Sequence, residues 1–357
     1  MRNPPALPHL PEDWQSLPPP PSEVLSDSHV DYIGLWLRRM WSQSWSDTAV
    51  RRAIIYAAHQ TPFDPLRDYL EKCAGAWDKT PRAATWLADY LGAERNALHL
   101  RIGSMWLLSA VARAYVPGAK VDHVLVLEGP QGKGKNRALE LLFGDERYLP
   151  ELPPVNDKDA MHLLGGAWCA CIDELCAIRA TDVEKVKSFL TRRIDRYRPP
   201  YGRDVVTRPR RTVFAATTNA PEYLTDASGN RRYWPVLCGR IRHAELERDR
   251  DQLWGEVVHM YRAGEQWWPD DSDTVALRSA QEEREQHDEW DERVRRYASA
   301  HDWVTIGDCL TDLGLEPADW RPADQHRVSR ALQRAGWRPV RSRAADRPRR
   351  HWVPPTE

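Results

Sequence analysis

One short signature constrains this chain more than anything else in it. Gly129-Pro130-Gln131-Gly132-Lys133-Gly134-Lys135-Asn136 follows the apolar run Val124-Leu125-Val126-Leu127 and precedes the amphipathic stretch Arg137–Phe143. A short, nearly continuous apolar run predicts a strand buried on both faces. G-x-x-x-x-G-K between such a strand and a helix predicts a loop that cradles phosphate. The glycines allow backbone conformations that aim successive N–H groups inward, and the following helix adds its positive end. Lys135 is expected to reach the β and γ phosphates of a nucleotide as a point charge. The nucleotide-binding set is therefore Gly129, Pro130, Gln131, Gly132, Lys133, Gly134, Lys135 and Asn136. The eighth position departs from the pattern. A Mg2+-ligating hydroxyl belongs there, and Asn136 offers an amide oxygen on a longer arm, so the metal geometry must shift. Nucleotide binding is expected to survive this change; efficient hydrolysis depends on it.

Two further apolar runs, Trp168–Ile172 and Thr212–Ala216, also predict buried strands, with helical stretches such as Thr181–Thr191 between them. Strands alternating with helices predict an α/β unit with a mostly parallel sheet. The first of these runs ends in Asp173-Glu174. Carboxylates at the C-terminal end of a parallel strand lie in the crevice where such sheets bind ligands. Asp173 is expected to hold a Mg2+ shell through water, and Glu174 to orient or polarise the water that attacks a γ-phosphate. The second run leads into Thr217-Thr218-Asn219, where Asn219 is placed to hydrogen-bond the γ-phosphate or its attacking water. Arg231 and Arg232, in Gly229-Asn230-Arg231-Arg232-Tyr233-Trp234-Pro235, are both candidates to stabilise charge on the transferring phosphoryl group, reaching across from a neighbouring subunit.

The flanks divide the chain. Eight of the 28 prolines fall in the first 21 residues, so 1–28 is expected to be a disordered, Pro-rich tail. Helical spacing of Tyr32, Trp36 and Met40, of Leu87, Tyr90 and Leu91, and across Ile102–Tyr115 predicts a helical domain over 29–118. The nucleotide-binding core is expected over 119–265. Residues 245–292 carry 16 acidic and 5 basic side chains, and 266–300 reads as an acidic helical linker. Residues 301–357 form a small basic module with helices near Ile306–Leu313 and Asp324–Ala335 and an Arg-rich hairpin; it resembles a winged helix.

The overall balance is 51 basic against 52 acidic residues, which excludes a uniformly basic coat protein, so any nucleic-acid surface must be local. Two local surfaces stand out. Residues 192–211 hold eight Arg and two Asp, and Arg192, Arg193, Arg196, Arg198 and Arg203, with tyrosines among them, could neutralise phosphates while the rings stack on unpaired bases. In the tail module, Arg327, Arg330 and Arg334 share one helix and are the expected DNA-facing set. The mean hydropathy of −0.66 and the absence of any 18-residue apolar run exclude a transmembrane helix. With no apolar segment near the N-terminus and only six cysteines, a reducing cytoplasm is expected. Cys169 and Cys171 alternate along a buried strand, with Cys176 nearby. They lack the paired spacing zinc requires and read as core thiols.

The segments LVLEGPQGKGK, DRYRPPYGR, FAATTN and GNRRYWPV, in that order, resemble the virulence-associated E family. These are phage and prophage proteins whose core is similar to superfamily 3 helicases and AAA+ ATPases. The likeness is dense from Pro62 to Gly264 and weaker to Val353. It implies a P-loop NTPase core with ATP and Mg2+ as cofactors, DNA as partner in single-stranded or forked form, and a homo-oligomeric ring, a hexamer by preference. It carries the phosphate loop onto Gly129–Lys135, the acidic motif onto Asp173-Glu174, the sensor onto Asn219, and the arginine finger onto Arg231 or Arg232. It further implies a nucleotide-driven helicase or replication ATPase of a mobile element. Many relatives carry a glutamate where this chain has Cys171, and an N-terminal primase-like region that has no counterpart here, so any primase would be a separate partner. Two alternatives stand beside this reading. Asn136 motivates a nucleotide-binding but non-hydrolysing DNA-binding regulator; a defence or packaging ATPase could use the same core.

Overall fold

The protein is described by a computed structural model covering residues 27–60, 63–154, 158–173, 183–198, 205–224, 229–285, 288–341 and 350–355. The expected Pro-rich tail lies outside these residues, except that Asp27 and Ser28 already open the first helix. Contacts divide the chain into two units, 1–65 and 66–357. In the first unit, α1 (Asp27–Trp41) and α2 (Asp47–Gln60) pack on each other. Val30 and Val50 are buried there, and Arg51 pairs with Asp27.

In the second unit, α3 (Pro65–Gly75), α4 (Trp86–Leu91) and α5 (Ala97–Tyr115) lead into β1 (Val124–Glu128) and α6 (Lys135–Phe143). There follow β2 (Tyr148–Leu149), α7 (Lys158–Leu164), β3 (Cys169–Ile172), α8 (Val183–Leu190), the antiparallel hairpin β4 (Ile194–Tyr197) and β5 (Val206–Pro209), then β6 (Val213–Thr218) and β7 (Tyr233–Leu237). Five strands form one parallel sheet in the order β2-β3-β6-β1-β7. The expected α/β class with a parallel sheet is thus the architecture of this chain. Insertion of β6 between β1 and β3 brings the C-terminal ends of those three strands to one edge, the edge at which open parallel sheets bind ligands.

Every residue of β1 and β6 is buried, because helices cover both faces of the sheet. Leu125 and Leu127 face a core shared with α3 to α6, while Val124 and Val126 face a second core with Leu164, Val186 and Phe189. The tryptophan-rich composition has a structural use on the first face. Phe143 meets Trp106, Trp168 and Trp254 edge-on, at centroid separations of 5.5, 4.9 and 5.3 Å. The three indole N–H groups donate to the carbonyls of Phe214, Ala110 and Leu142 at 3.0, 2.9 and 2.8 Å. Buried rings supply area and their polar edges are satisfied, so the cluster fastens α5, α6 and the helix His243–Arg262 to the sheet.

The domain boundaries differ from those expected. Helices α3 to α5 belong to the sheet's own core rather than to a separate N-terminal domain. The same core takes in α9 (His243–Arg262) and α10 (Asp271–Glu282). Leu277 is buried, and Gln281 donates to the Tyr233 carbonyl at 2.7 Å, so 266–285 is not a linker. Acidic composition misled here because it reports the solvated face of α10 and not its buried one. Helix α11 (Trp290–Ser299) joins the tail module instead, packing with α12 (Ile306–Asp312), α13 (Pro322–Arg334) and the antiparallel pair β8 (Arg338–Arg341) and β9 (Arg350–Val353) around a small core of its own. The two helices and the hairpin fall where the sequence placed them. No helix among the described residues is long and apolar enough to cross a membrane.

Candidate functional site

The loop between β1 and α6 begins where β1 ends at Glu128. Gly129, Gly132 and Gly134 all have positive φ, at 135°, 80° and 80°, the region that glycine reaches without penalty. The amides of Gln131, Gly132 and Gly134 make no backbone hydrogen bond among the described residues. They are joined by the N-terminus of α6, whose first turn lacks acceptors by construction. The loop thus presents a set of unmatched donors.

Lys135 closes the loop from below. It is 8% exposed, and its Nζ donates to the carbonyls of Gly129 at 2.6 Å and Pro130 at 3.0 Å. No carboxylate pairs with it among the described residues. A buried ammonium satisfied only by carbonyl dipoles remains an uncompensated positive charge.

A cavity of about 280 Å3 opens over this loop, lined by Gln131 to Arg137 together with Asp173, Thr217, Thr218 and Asn219. Two of the polar groups come from the C-terminal ends of neighbouring strands: Asp173 follows β3, and Asn219 follows β6. Parallel register sets them level, since Leu127 lies opposite Thr217 and Ile172 opposite Ala216. Asp173 Oδ1 accepts from Thr217 Oγ1 at 2.5 Å and from Asn136 Nδ2 at 3.3 Å. The other end of the Asn136 amide, Oδ1, lies 3.7 Å from Cys171 Sγ. Burial pushes the Cys171 thiol up to about 12, so it stays protonated and is a donor.

The structure therefore brings together Gly129 to Asn136, Asp173 and Asn219, as the sequence anticipated. Glu174 and Cys176 lie outside the described residues, as does Arg203. Arg231 and Arg232 are elsewhere. They sit in a short 3-10 turn immediately before β7, and Tyr233 is in register with Val124, the first residue of β1. At about 3.3 Å per residue, the length of β1 separates them from the loop by roughly 16 Å, beyond the reach of either side chain. Any action of theirs on a loop cavity must be on that of another subunit. In their own chain they line a separate, larger cavity of about 1290 Å3 with His123, Trp234 and Trp267.

The arginine-rich surfaces are less free than the sequence suggested. Arg210 is buried and paired with Asp195, with its guanidinium also over the Phe189 ring. Arg193 Nε donates to the Gly118 carbonyl at 2.7 Å, and Arg192 lies over Phe189. Arg196 and Arg198 remain exposed on the outer face of the β4–β5 hairpin. In the tail module, Arg327 donates twice to Asp288, at 2.8 and 2.7 Å, and stacks 3.7 Å above Trp290. Arg334 pairs with Asp291 at 2.8 Å, and Arg330 is half-buried. Arg327 and Arg334 turn toward their own module, so the three do not form an open cationic face; Arg338, Arg341 and Arg350 on the hairpin are exposed instead.

Three contributors escaped the sequence reading. Thr217 stood in a quoted motif, but Asn219 was preferred to it. His243, at the start of α9, places Nε2 3.0 Å from the Gly134 carbonyl. A Cβ on Gly134 would come within 2.5 Å of its ring, so this histidine caps the loop from 109 residues away, and no local signal could reveal it. Glu128, buried at the end of β1, accepts from Tyr223 at 2.7 Å and pairs with Arg284, tying the root of the loop to the segment after α10.

Residues 70–287 match the family model described as the virulence-associated protein E-like domain. No curated protein matches. Similar solved structures include the apo structure of the NrS-1 C-terminal region, at 10% identity over 82% of this chain and 76% of that one, TM-score 0.41. An A form apo structure of the same region has 10% identity over 83% and 77%, with the same TM-score of 0.41.

Proposed function

The chain belongs to the virulence-associated protein E-like family, and from that premise we propose that its loop cavity binds the triphosphate of ATP and that the protein is a P-loop ATPase working on DNA. The observation that carries this reading is Lys135, a buried ammonium with only carbonyl partners, at the floor of a cavity rimmed by unmatched amides. Such a site suits an anion with several acceptor oxygens.

The residues suit the group. Lys135 exchanges its two carbonyl acceptors for β and γ oxygens, and the amides from Gln131 to Gly134 supply further donors. Asp173 faces the loop and would hold a hydrated divalent cation. Magnesium, when bound, draws charge from the β and γ oxygens and makes the leaving diphosphate more stable. Asn219 orients the attacking water, and Glu174 is assigned to polarise it. Arg231 or Arg232 would act on the neighbouring subunit's cavity in a homo-oligomeric ring, a reading that their distance from their own loop supports. DNA is assigned to the exposed Arg196 and Arg198 of the β4–β5 hairpin and to the basic β8–β9 hairpin of the winged-helix-like tail module. Helicase action in mobile-element replication is the role this assembly fits.

A second reading, nucleotide binding without turnover, is favoured by one observation: the Asn136 amide is engaged by Asp173 and Cys171. ATP turnover with and without single-stranded DNA, for wild type and Lys135→Ala, separates the two. Turnover stimulated by DNA and lost in Lys135→Ala is expected, with strand displacement on forked DNA. Affinity without turnover, restored by Asn136→Ser, would establish the second reading, and indifference to adenine nucleotides would end both.

A further inference from the structure

Two features set this site apart from the pattern of its loop: an amide at position 136 where a hydroxyl belongs, and a thiol at 171 on the strand that carries the acidic end. They are 35 residues apart in sequence and touch, at 3.7 Å. Resting on the Mg·ATP reading above, we propose that Cys171 and Asp173 together lock the Asn136 amide so that residue 136 gives no ligand to the metal, leaving Asp173 to face the cation.

The geometry works from both ends of one planar group. Asn136 Nδ2 is committed to Asp173 Oδ1. Its Oδ1 is the acceptor of the Cys171 thiol. To offer Oδ1 to a cation the amide must break both links at once, and the thiol would lose that acceptor in a fully buried strand. Asp173 has the opposite disposition. Thr217 and Asn136 both donate to its Oδ1, and its Oδ2 accepts no hydrogen bond among the described residues. The carboxylate is held on one oxygen and open on the other. A hydroxyl at 136 would be too short to bridge toward Asp173 and would stay at the loop, where the metal is held in the usual arrangement.

The consequence is a nucleotide affinity that depends little on magnesium. Calorimetric binding of a non-hydrolysable ATP analogue is measured in EDTA and in excess Mg2+, for wild type, Asn136→Ser and Cys171→Ala, with Mn2+ binding followed by electron paramagnetic resonance. Wild-type affinities are expected within roughly threefold of each other, while in Asn136→Ser the metal gain rises to about tenfold, equivalent to about 1.4 kcal/mol. Cys171→Ala, which frees Oδ1 without changing residue 136, is expected to fall between them and to tighten bound Mn2+. A wild-type metal gain above about tenfold overturns the proposal by itself, even if the serine variant fails to fold. So does a gain that neither substitution alters. Both of those outcomes leave the ATP reading standing. If wild type binds the analogue no better than Lys135→Ala, in EDTA or in Mg2+, the ATP reading itself falls and the proposal with it.

Discussion

Acid should weaken this fold through one histidine. His123 immediately precedes β1, is 6% exposed, and stacks on Trp234 with centroids 3.7 Å apart and planes 10° off parallel. Its Nε2 has no hydrogen-bond partner among the described residues. Burial, and then the Arg113 guanidinium, pull its pKa down to about 3 from an ordinary 6.5. A base with a depressed folded value is protonated only in the unfolded chain between those two limits. Stability is therefore complete above the unfolded value and is lost as pH falls below it, by up to about 1.4 kcal/mol per unit. Between pH 7 and pH 5 the loss comes to about 2 kcal/mol, and it barely changes while the folded value stays below about 4. The comparison is with His123→Phe, which keeps a ring against Trp234 and cannot titrate. Urea unfolding followed by tryptophan fluorescence at pH 7, 6 and 5 gives the two stabilities. Wild type should lose about 2 kcal/mol more than His123→Phe over that span. Parallel pH profiles for the two proteins would refute the reasoning, because they would mean that the imidazole accepts a proton in the folded state.

Two other outcomes follow from single contacts. Gly134→Ala combines a φ of 80° with a Cβ placed 2.5 Å from His243; ATP-analogue affinity should fall at least about tenfold, with part recovered in Gly134→Ala/His243→Ala, and calorimetry reads both. Asp195→Ala strands the buried Arg210 charge, side chain 1% exposed, and should cost about 3–5 kcal/mol in denaturant unfolding, whereas Asp195→Ala/Arg210→Met should recover most of it.

What the sequence disclosed, and what it hid, follows from how far each interaction reaches. The strands β1, β3 and β6 were legible because burial on both faces leaves an uninterrupted apolar run, and their polar ends marked one sheet edge. Strand order was not legible: nothing in Val213–Thr218 says that it lies between β1 and β3. Domain limits failed for the same reason. Helix α5 is apolar on nearly all sides, which says that it is enclosed but not by what, and its partners are the sheet and α9. Its Trp106, and Trp168 just before β3, are joined through carbonyls 108 and 58 residues away. His243 was invisible on similar grounds.

Charge is where the sequence misled most, and the reason bears on function. Summing arginines over a segment treats each as exposed, yet Arg210 meets Asp195, Arg327 meets Asp288 and Arg334 meets Asp291. Once such pairs are removed, the informative cations are buried ones lacking an acid. Arg113 is one: its guanidinium donates to the carbonyls of Ala119, Thr212 and Val121, and these anchor α5 to the start of β1 and β6. Its three acceptors come from two packed segments and enclose it, so the charge is structural. Lys135 differs in a way that matters. Its two acceptors belong to its own loop, and the space above it is a cavity and not packed chain. The same physics, a desolvated cation held by carbonyl dipoles, thus yields a fastening in one place and, in the function proposed above, an anion receptor in the other. The distinction lies wholly in whether the neighbouring volume is already filled.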